Sequence, residues 1–451
     1  MSGRIGQDER GFNMRYGDSF SNNGTYRVYG KYTDSDNTLL ASGANANDAW
    51  EIGQIGFRAD LTPDEDIFSL QGNAYDGKMD DVGEIDATIR GANILGHWRR
   101  QISTDGFFVL QGYIDHTKRD IPETFSEELT IFDVEFEHIL QLTPRNLLTW
   151  GVGYRHAWDD VGNSNALAFL PAEKKLTWGN LFIQDAISLL DDLTLTIGAK
   201  VAYNDYTRYE ALPSVRLAWK FTPNQLLWGG ISRAVRSPSR IDREFFVPGN
   251  PPFSVLAGGV DFESELSNVA ELGYRMHVLA NLTLSMTLFH SEHDNVRSLE
   301  IDPSGPFLAN KMSGNSTGIE LTGTWQPTEN WRVSAGGFYL DKDLKLDSDS
   351  LARSVSSEGN DPEYQWTIRS YMTLPMNLGF SLWLRGVGEL PDPAVPGYME
   401  LNSRLTWMPY ENLEVAISGN NLLNDSHAEF GSALTRSEIN RSVMLEIKWF
   451  N

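Results

Sequence analysis

Apolar and polar residues alternate one by one along several stretches of the chain. In residues 282–288 and 443–449, Leu, Met, Ile, Val and Trp side chains occupy every second position, and mostly Thr, Ser, Glu and Lys lie between them. Residues 319–325 and 413–418 repeat the pattern. Successive side chains of a strand point to opposite faces, so this period predicts strands with one apolar and one polar face. No convincing helical segment interrupts them, which argues against alternating strand–helix units.

The connections between the predicted strands alternate in length. Short ones lie at residues 21–24, 62–66, 103–106, 143–146, 191–192, 222–225, 280–281, 327–330, 376–378 and 410–412. Those between them are mostly longer and polar, for example at 35–47, 159–174, 237–263, 342–362 and 424–440. A soluble sandwich has no reason to place all its short turns at one end. A bacterial outer-membrane barrel has short periplasmic turns and longer outer loops. The pattern therefore predicts an all-β, antiparallel, up-and-down transmembrane β-barrel.

Tryptophan positions agree with a membrane interface. Seven of the 13 tryptophans lie near a short turn or the C-terminus: Trp150, Trp219, Trp228, Trp325, Trp331, Trp407 and Trp449. Trp is enriched where a membrane meets water, so these residues are expected to form one aromatic girdle. Ordinary core tryptophans near strand ends are the alternative.

The strand count indicates how the barrel closes. From residues 10–17 to residues 441–450 the sequence contains 21 complete strands, and the first and the last both run towards the short-turn side. An even barrel then needs one more strand at the start. Residues 2–5 are too short for a whole strand but could be its last part. We predict about 22 strands with a truncated first strand, a size whose lumen is normally plugged.

Composition excludes several other classes. The chain has 451 residues, no cysteine and a net charge of -24. The length alone would also fit roughly three soluble domains. The missing cysteines exclude disulfides and thiolate metal sites, and the negative charge makes nucleic acid an unsuitable partner. No run approaches the ~20 apolar residues of a membrane-spanning helix, and the first residues form no apolar signal segment.

Four stretches resemble TonB-dependent outer-membrane receptors. Residues 8–34 resemble the opening barrel strands of that family, and residues 228–246, WGGISRAVRSPSRIDREFF, resemble its mid-barrel segment. Residues 271–300 and the segment 419–431, GNNLLNDSHAEFG, resemble later parts of the barrel. The four stretches occur in family order and span essentially the whole chain.

The resemblance implies a plug folded inside a 22-strand barrel, nutrient capture by outer loops, most often of ferric siderophores, and energy from TonB. This chain departs from the family at both ends. Residues 1–451 are expected to be the barrel alone, without signal peptide, TonB box or plug, so that TonB would act only through the missing plug. Asn451 follows Phe450, where relatives usually end in an aromatic residue. The implied location is the outer membrane of a Gram-negative bacterium. The bilayer, lipopolysaccharide and a small ligand are the expected partners of a monomer, and no cofactor is implied.

Candidate ligand-binding residues lie near the longest outer connection. Its basic run, Arg233, Arg236, Arg240 and Arg243, could attract an anionic ligand such as a siderophore carboxylate. The favoured alternative is that these arginines line the polar lumen or pair with Asp242, Glu244 and plug carboxylates. Loop aromatics could stack on a ligand, or could simply pack among themselves. They are Trp158, Tyr206, Tyr209, Phe245, Phe246 and Phe253.

The remaining candidate chemistry is weak. His290 and Glu292 share one strand face, whereas His293 lies on the other, so they do not converge on one metal ion. No Gly-x-Ser-x-Gly elbow occurs, and no enzyme is predicted. Two alternatives to a nutrient receptor remain. One is a plugless barrel that passes solutes by diffusion, and the other is a surface or adhesive barrel that transports nothing.

Overall fold

The computed structural model describes residues 1–80, 86–355 and 358–450, which form 28 strands and one short helix. The first half of the chain contains β1 (Ser2–Gly6), β2 (Glu9–Ser21), β3 (Gly24–Ser35), β4 (Leu39–Leu40), β5 (Trp50–Leu61), β6 (Asp66–Met79), β7 (Ala87–Ser103), β8 (Gly106–Ile121), β9 (Phe125–Thr143), β10 (Asn146–Gly162), β11 (Ala168–Phe169), β12 (Glu173–Leu190), β13 (Leu193–Asn204), β14 (Arg208–Thr222) and β15 (Gln225–Arg236). The second half contains α1 (Arg240–Glu244), β16 (Phe245–Val247), β17 (Leu256–Ala257), β18 (Glu265–Leu279), β19 (Leu282–Asp302), β20 (Gly305–Thr328), β21 (Trp331–Leu346), β22 (Tyr364–Leu374), β23 (Leu378–Val387), β24 (Tyr398–Tyr410), β25 (Leu413–Asn420), β26 (Ser426–Ala428), β27 (Ser437–Asn440) and β28 (Ser442–Trp449).

Twenty-two of these strands form one closed antiparallel barrel. β1 closes it, because this strand pairs with β2 on one side and with β28 on the other. The predicted 22-strand barrel with a short first strand is therefore confirmed. Closure matters in lipid, where an open sheet edge would leave its backbone groups without hydrogen-bond partners.

The strand register places apolar side chains on the outside of the barrel. At the seam, Leu445 of β28 stands opposite Ile5 of β1 and Ile417 of β25. These side chains are 42–63 % exposed, although they are apolar. The alternate positions face the lumen, where Arg404 pairs with Glu446. An apolar outside and a polar inside are what a barrel wall in lipid requires.

All ten short connections lie at one end, as predicted, and Met1 and Trp449 lie there too. The amide of Trp449 donates to the carbonyl of Met1 at 2.8 Å. At the other end β4, β26 and β27 form a small separate sheet. The connection between β15 and β18 contains α1, β16 and β17, so the prediction of no helix was wrong at this point. Asn451 lies outside the described residues.

The aromatic girdle is present with one correction. Trp219, Trp325, Trp407 and Trp449 are exposed on the outside of the barrel near the short-turn end. Trp228 instead faces the lumen, because its neighbours in β15, Leu227 and Gly229, occupy the outward positions, and its ring covers Gly273 across the strand pair. Period-two alternation fixes which residues share a face, and Trp228 belongs to the polar set. Among the described residues, no helix is long and apolar enough to cross a membrane.

Candidate functional site

The mouth of the lumen, opposite the short turns, and the lumen wall below it each carry a group of charged and aromatic side chains. The first, here called the helix cluster, is built around α1 and contains Arg236, Arg240, Asp242, Glu244 and their partners. The second, here called the arginine ladder, consists of Arg369, Trp383, Arg385, Tyr398 and His427 on the wall formed by β22, β23, β24 and β26.

A capping box starts α1 and buries its carboxylate. Ser239 is the N-cap residue, and its backbone N and Oγ lie 2.9 Å from the same carboxylate oxygen of Asp242. Asp242 is fully buried and accepts a 2.9 Å hydrogen bond from Arg236. Burial alone would raise the pKa of Asp242, but the hydrogen bonds from Arg236 and Ser239 outweigh it and hold that pKa below its ordinary value. The carboxylate therefore stays charged and fixes the loop.

Arg240 is the buried centre of the helix cluster. Its guanidinium bonds the carboxylates of Asp159 and Glu244 at 2.8 Å each, and it also donates to the carbonyls of Pro171 and Ala172. Glu244 additionally pairs with Lys174 at 2.7 Å. Since a buried charge needs such partners, this arginine ties three separate stretches of chain together.

The four arginines predicted as a ligand site have different positions. Arg236 pairs with Asp242 and Glu265, and Arg243 donates to the carbonyl of Phe262. The ion pairs with Asp242 and Glu244 that the sequence analysis favoured are thus present. Arg233 is separate, because it shares the outward face of β15 with the exposed Ile231. Ligand binding by any of the four stays a prediction.

The six predicted loop aromatics also fall into two groups, one in the mouth loops and one on the outer wall. Tyr206 bonds Glu244 at 3.3 Å, and burial together with that carboxylate raises the pKa of its phenol. Phe245 packs on Phe169, and Phe246 packs on Phe253 with ring centroids 4.6 Å apart. These contacts hold the mouth loops together.

The prediction that Trp158 and Tyr209 lie in loops was wrong. Trp158 belongs to β10 and Tyr209 to β14, and both are exposed on the outside of the barrel wall. In both cases the strand extends further outward than the polar residues around it suggested. Their side chains therefore face away from the lumen.

The arginine ladder was not predicted. The guanidinium carbon of Arg369 lies 4.7 Å from the ring centre of Trp383, and that of Arg385 lies 5.2 Å from Tyr398. Tyr398 in turn stacks on His427 at 4.1 Å. In residues 379–386, Phe380, Leu382 and Leu384 take the apolar positions, and Ser381, Trp383 and Arg385 take the polar ones. A tryptophan in the polar positions of a strand was the signal that could have revealed this group.

The two ladder arginines differ in their freedom to bind a ligand. Arg385 is held by Glu400 at 3.0 Å and by Glu429 at 2.5 Å. The guanidinium of Arg369 has no hydrogen bond or ion pair with any residue that the structure describes, and it lies over the face of Trp383. A guanidinium on an aromatic face keeps its hydrogen-bond donors available.

One group near the ladder has the composition of a metal site. The potential ligand atoms of Glu400, His427 and Glu429 all lie within 4.8 Å of one another. Arg385 already binds both carboxylates and supplies the positive charge. The pKa of Glu429 is below its ordinary value because hydrogen bonds from His427 and Arg385 outweigh the effect of burial. We therefore regard this group as an internal ion-pair network.

Comparison with known proteins agrees with this architecture. The "Iron-regulated outer membrane virulence protein" of Vibrio cholerae serotype O1 is 21% identical over 95% of this chain and 70% of its own length. The fold is similar to that of the FrpB iron transporter from Neisseria meningitidis, with a TM-score of 0.81, 13% identity, and coverage of 99% of this chain and 80% of that one. It is also similar to the siderophore receptor PirA from Pseudomonas aeruginosa, with a TM-score of 0.74, 14% identity, and coverage of 100% and 79%.

The sequence profile of one family covers most of the barrel. The profile described as "TonB dependent receptor-like, beta-barrel" matches residues 3–422, from the short closing strand to the connection before β26. Together with the closed 22-strand wall, this match shows that the chain belongs to the TonB-dependent receptor family, whose barrels lie in the outer membrane of Gram-negative bacteria.

Proposed function

We propose that this barrel is the translocation wall of a receptor for active uptake of a scarce nutrient, most specifically a ferric siderophore. Two relatives are named as an iron-regulated outer-membrane protein and a siderophore receptor, which supports iron as the nutrient. The observation that carries the ligand class is the unpaired Arg369 on the face of Trp383. A cation beside an exposed aromatic ring suits an anionic ligand that has flat rings or carboxylates.

The helix cluster and the arginine ladder have different roles in this proposal. The helix cluster is internally neutralised, so it serves as a scaffold that fixes the outer loops. The arginine ladder leaves one guanidinium free on the lumen wall, where it attracts the ligand after capture by the loops. A plug in the lumen would couple release to TonB. The protein acts as a monomer in the bilayer and has no catalytic step.

Binding is tested with the purified barrel in detergent, using a ferric catecholate siderophore that quenches tryptophan fluorescence. Arg369→Ala is expected to weaken binding about tenfold, the effect of losing one charge-assisted hydrogen bond. Arg216→Ala is the matched control, because Arg216 also faces the lumen, on β14, but has no aromatic partner among the described residues. Equal effects of both substitutions, or none, would refute the role of the ladder.

Transport separates the receptor from its two alternatives. In iron-limited cells that lack their own siderophore receptors, expression of the barrel joined to a plug domain is expected to restore growth on the ferric siderophore only when TonB is present. Rescue that survives the loss of TonB, with large steady openings in planar bilayers, would indicate a diffusion pore. Binding and rescue that are both absent would indicate a surface or adhesive barrel.

A further inference from the structure

On β15, β18, β19 and β20, the outward-facing residues change from apolar to polar over three successive rows of paired residues. One row consists of Gly229, Leu272, Leu288 and Ile319; the next of Ile231, Ala270, His290 and Thr317; and the third of Arg233, Asn268, Glu292 and Asn315. All these positions share the outward face. The hydrocarbon layer therefore ends at this height, and the third row lies among the lipid headgroups.

A cavity of about 440 Å³ opens on the outside of the wall at this boundary. Val215, Ile231 and Ala270 form its apolar side, and Arg233, Asn268, His290 and Glu292 form its polar side. Within the described part of the chain, the guanidinium of Arg233 has no hydrogen bond or ion pair. The ring of His290 is oriented by a 2.7 Å hydrogen bond to Thr317. A free guanidinium in a preformed cavity is a suitable site for an anion.

An apolar groove of about 870 Å³ lies on the same outer surface, immediately next to the cavity. It runs from Tyr274 and Met286 to Tyr339 and Tyr364, and Gly323, Ala335 and Gly337 form its floor, where no large side chain projects. Ile319, at its upper end, is two residues from Thr317, the partner of His290. The groove and the cavity therefore lie in adjacent rows of the outer wall, although they share no lining residue.

We infer that these two features together bind one outer-leaflet lipid that has a phosphorylated headgroup, which in this membrane is lipopolysaccharide. The phosphate lies against Arg233, and an acyl chain fills the groove. Charge complementarity selects the headgroup, and the groove is continuous with the lipid-facing band of the wall. His290 and Glu292 also line the cavity, but both lie on β19, two strands and about 10 Å from Arg233, so the phosphate is held on the Arg233 side. The inference depends on the outer-membrane location and not on the proposed nutrient.

The test measures retained lipid by native mass spectrometry after the full chain is refolded with bisphosphorylated lipid A in detergent. Arg233→Gln is expected to reduce the retained lipid about tenfold, as expected for one charge-assisted contact. Ala335→Phe, which fills the exposed groove floor with another lipid-compatible side chain, is expected to reduce it independently. The lumen-facing control Arg216→Gln is expected to retain the lipid fully. A heat-modifiable gel shift verifies that each variant is folded.

Two further probes separate the lipid from free phosphate. Dephosphorylated lipid A is expected to bind poorly and equally to the wild-type protein and Arg233→Gln. Inorganic phosphate at the same concentration is expected not to displace the lipid. Full retention in both Arg233→Gln and Ala335→Phe, or displacement by inorganic phosphate alone, would overturn the assignment.

Discussion

A charge placed on the outer wall tests whether lipid covers that face. Leu321 of β20 is 51% exposed on the outside, between Met286 and Gly337 on the neighbouring strands. Its neighbour Thr322 faces the lumen. We predict that Leu321→Arg destabilises the barrel strongly, whereas Thr322→Arg has little effect, although the two positions are adjacent in sequence.

The depth of Leu321 sets the size of the effect. Trp325, an exposed girdle residue, is four residues nearer to the short turn. With a rise of about 3.3 Å per residue and a strand tilt of about 40°, Leu321 lies about 10 Å above the girdle. This is close to the middle of an apolar band about 25 Å tall, where an arginine costs about 2–4 kcal/mol. The free energy of unfolding of a typical protein is only about 5–15 kcal/mol.

The assay is reversible guanidinium unfolding in phospholipid vesicles, followed by the fluorescence of the 13 tryptophans. The unfolding midpoint is expected to fall for Leu321→Arg and to stay near the wild-type value for Thr322→Arg. A Leu321→Lys variant should behave like Leu321→Arg, since the cost arises from the charge. If Thr322→Arg loses as much stability as Leu321→Arg, the assignment of the two faces is wrong at this strand.

Three other predictions concern closure and the mouth. Deletion of Ser2–Gly6 leaves β2 and β28 without the strand that pairs with both of them. The deletion is expected to abolish the heat-modifiable folded band on gels, because the sheet edges would then be unpaired in lipid. A folded band of full intensity would show that the barrel does not need this strand. The pKa of Asp242 is lower in the folded protein than its ordinary value of 3.8, so the stability that this carboxylate contributes is complete above pH 3.8 and is lost as the pH falls through the folded-state pKa. Pepsin cleavage within residues 237–264 should therefore increase steeply below the folded-state pKa. This transition should disappear in Asp242→Asn. Replacing Arg240 with Met leaves Asp159 buried without its cation and leaves Glu244 with Lys174 alone, which should destabilise the loop by about 3–5 kcal/mol and make it sensitive to trypsin at neutral pH. Unchanged cleavage would show that these loops are held by other contacts.

The barrel could be predicted from the sequence because its two faces are in contact with different solvents. The alternation in residues 282–288 and 443–449 shows which side chains face lipid. The short turns make consecutive strands neighbours in the sheet. Even the short strand β1 followed from the parity of the strand count. Whether a single side chain such as Trp228 faces lipid or the lumen depends on the register of its strand. The aromatic character of Trp228 suggested the lipid face, although its register places it in the lumen.

The mouth could not be predicted in the same way, because its contacts join residues that are distant in sequence. Asp159 and Arg240 meet across 81 positions, and no local period indicates such a pair. The helix α1 is only five residues long and is held by its cap and its ion pairs, so it leaves no hydrophobic repeat in the sequence. The basic run was visible, but its partners were not, and the partners decide whether an arginine binds a ligand.

Arginines in this barrel are best distinguished by what already neutralises them. Arg240 is surrounded by two carboxylates and two carbonyls, so binding an external anion would require breaking contacts in a buried site, at a cost of several kcal/mol. Arg369 and Arg233 have no such partners among the described residues, so an anion can approach either without displacing a protein group. The two face opposite solvents, one the lumen and the other the headgroup layer. In the two proposals, the same side-chain chemistry serves solute capture on one face of the wall and lipid anchoring on the other, and the strand register determines which.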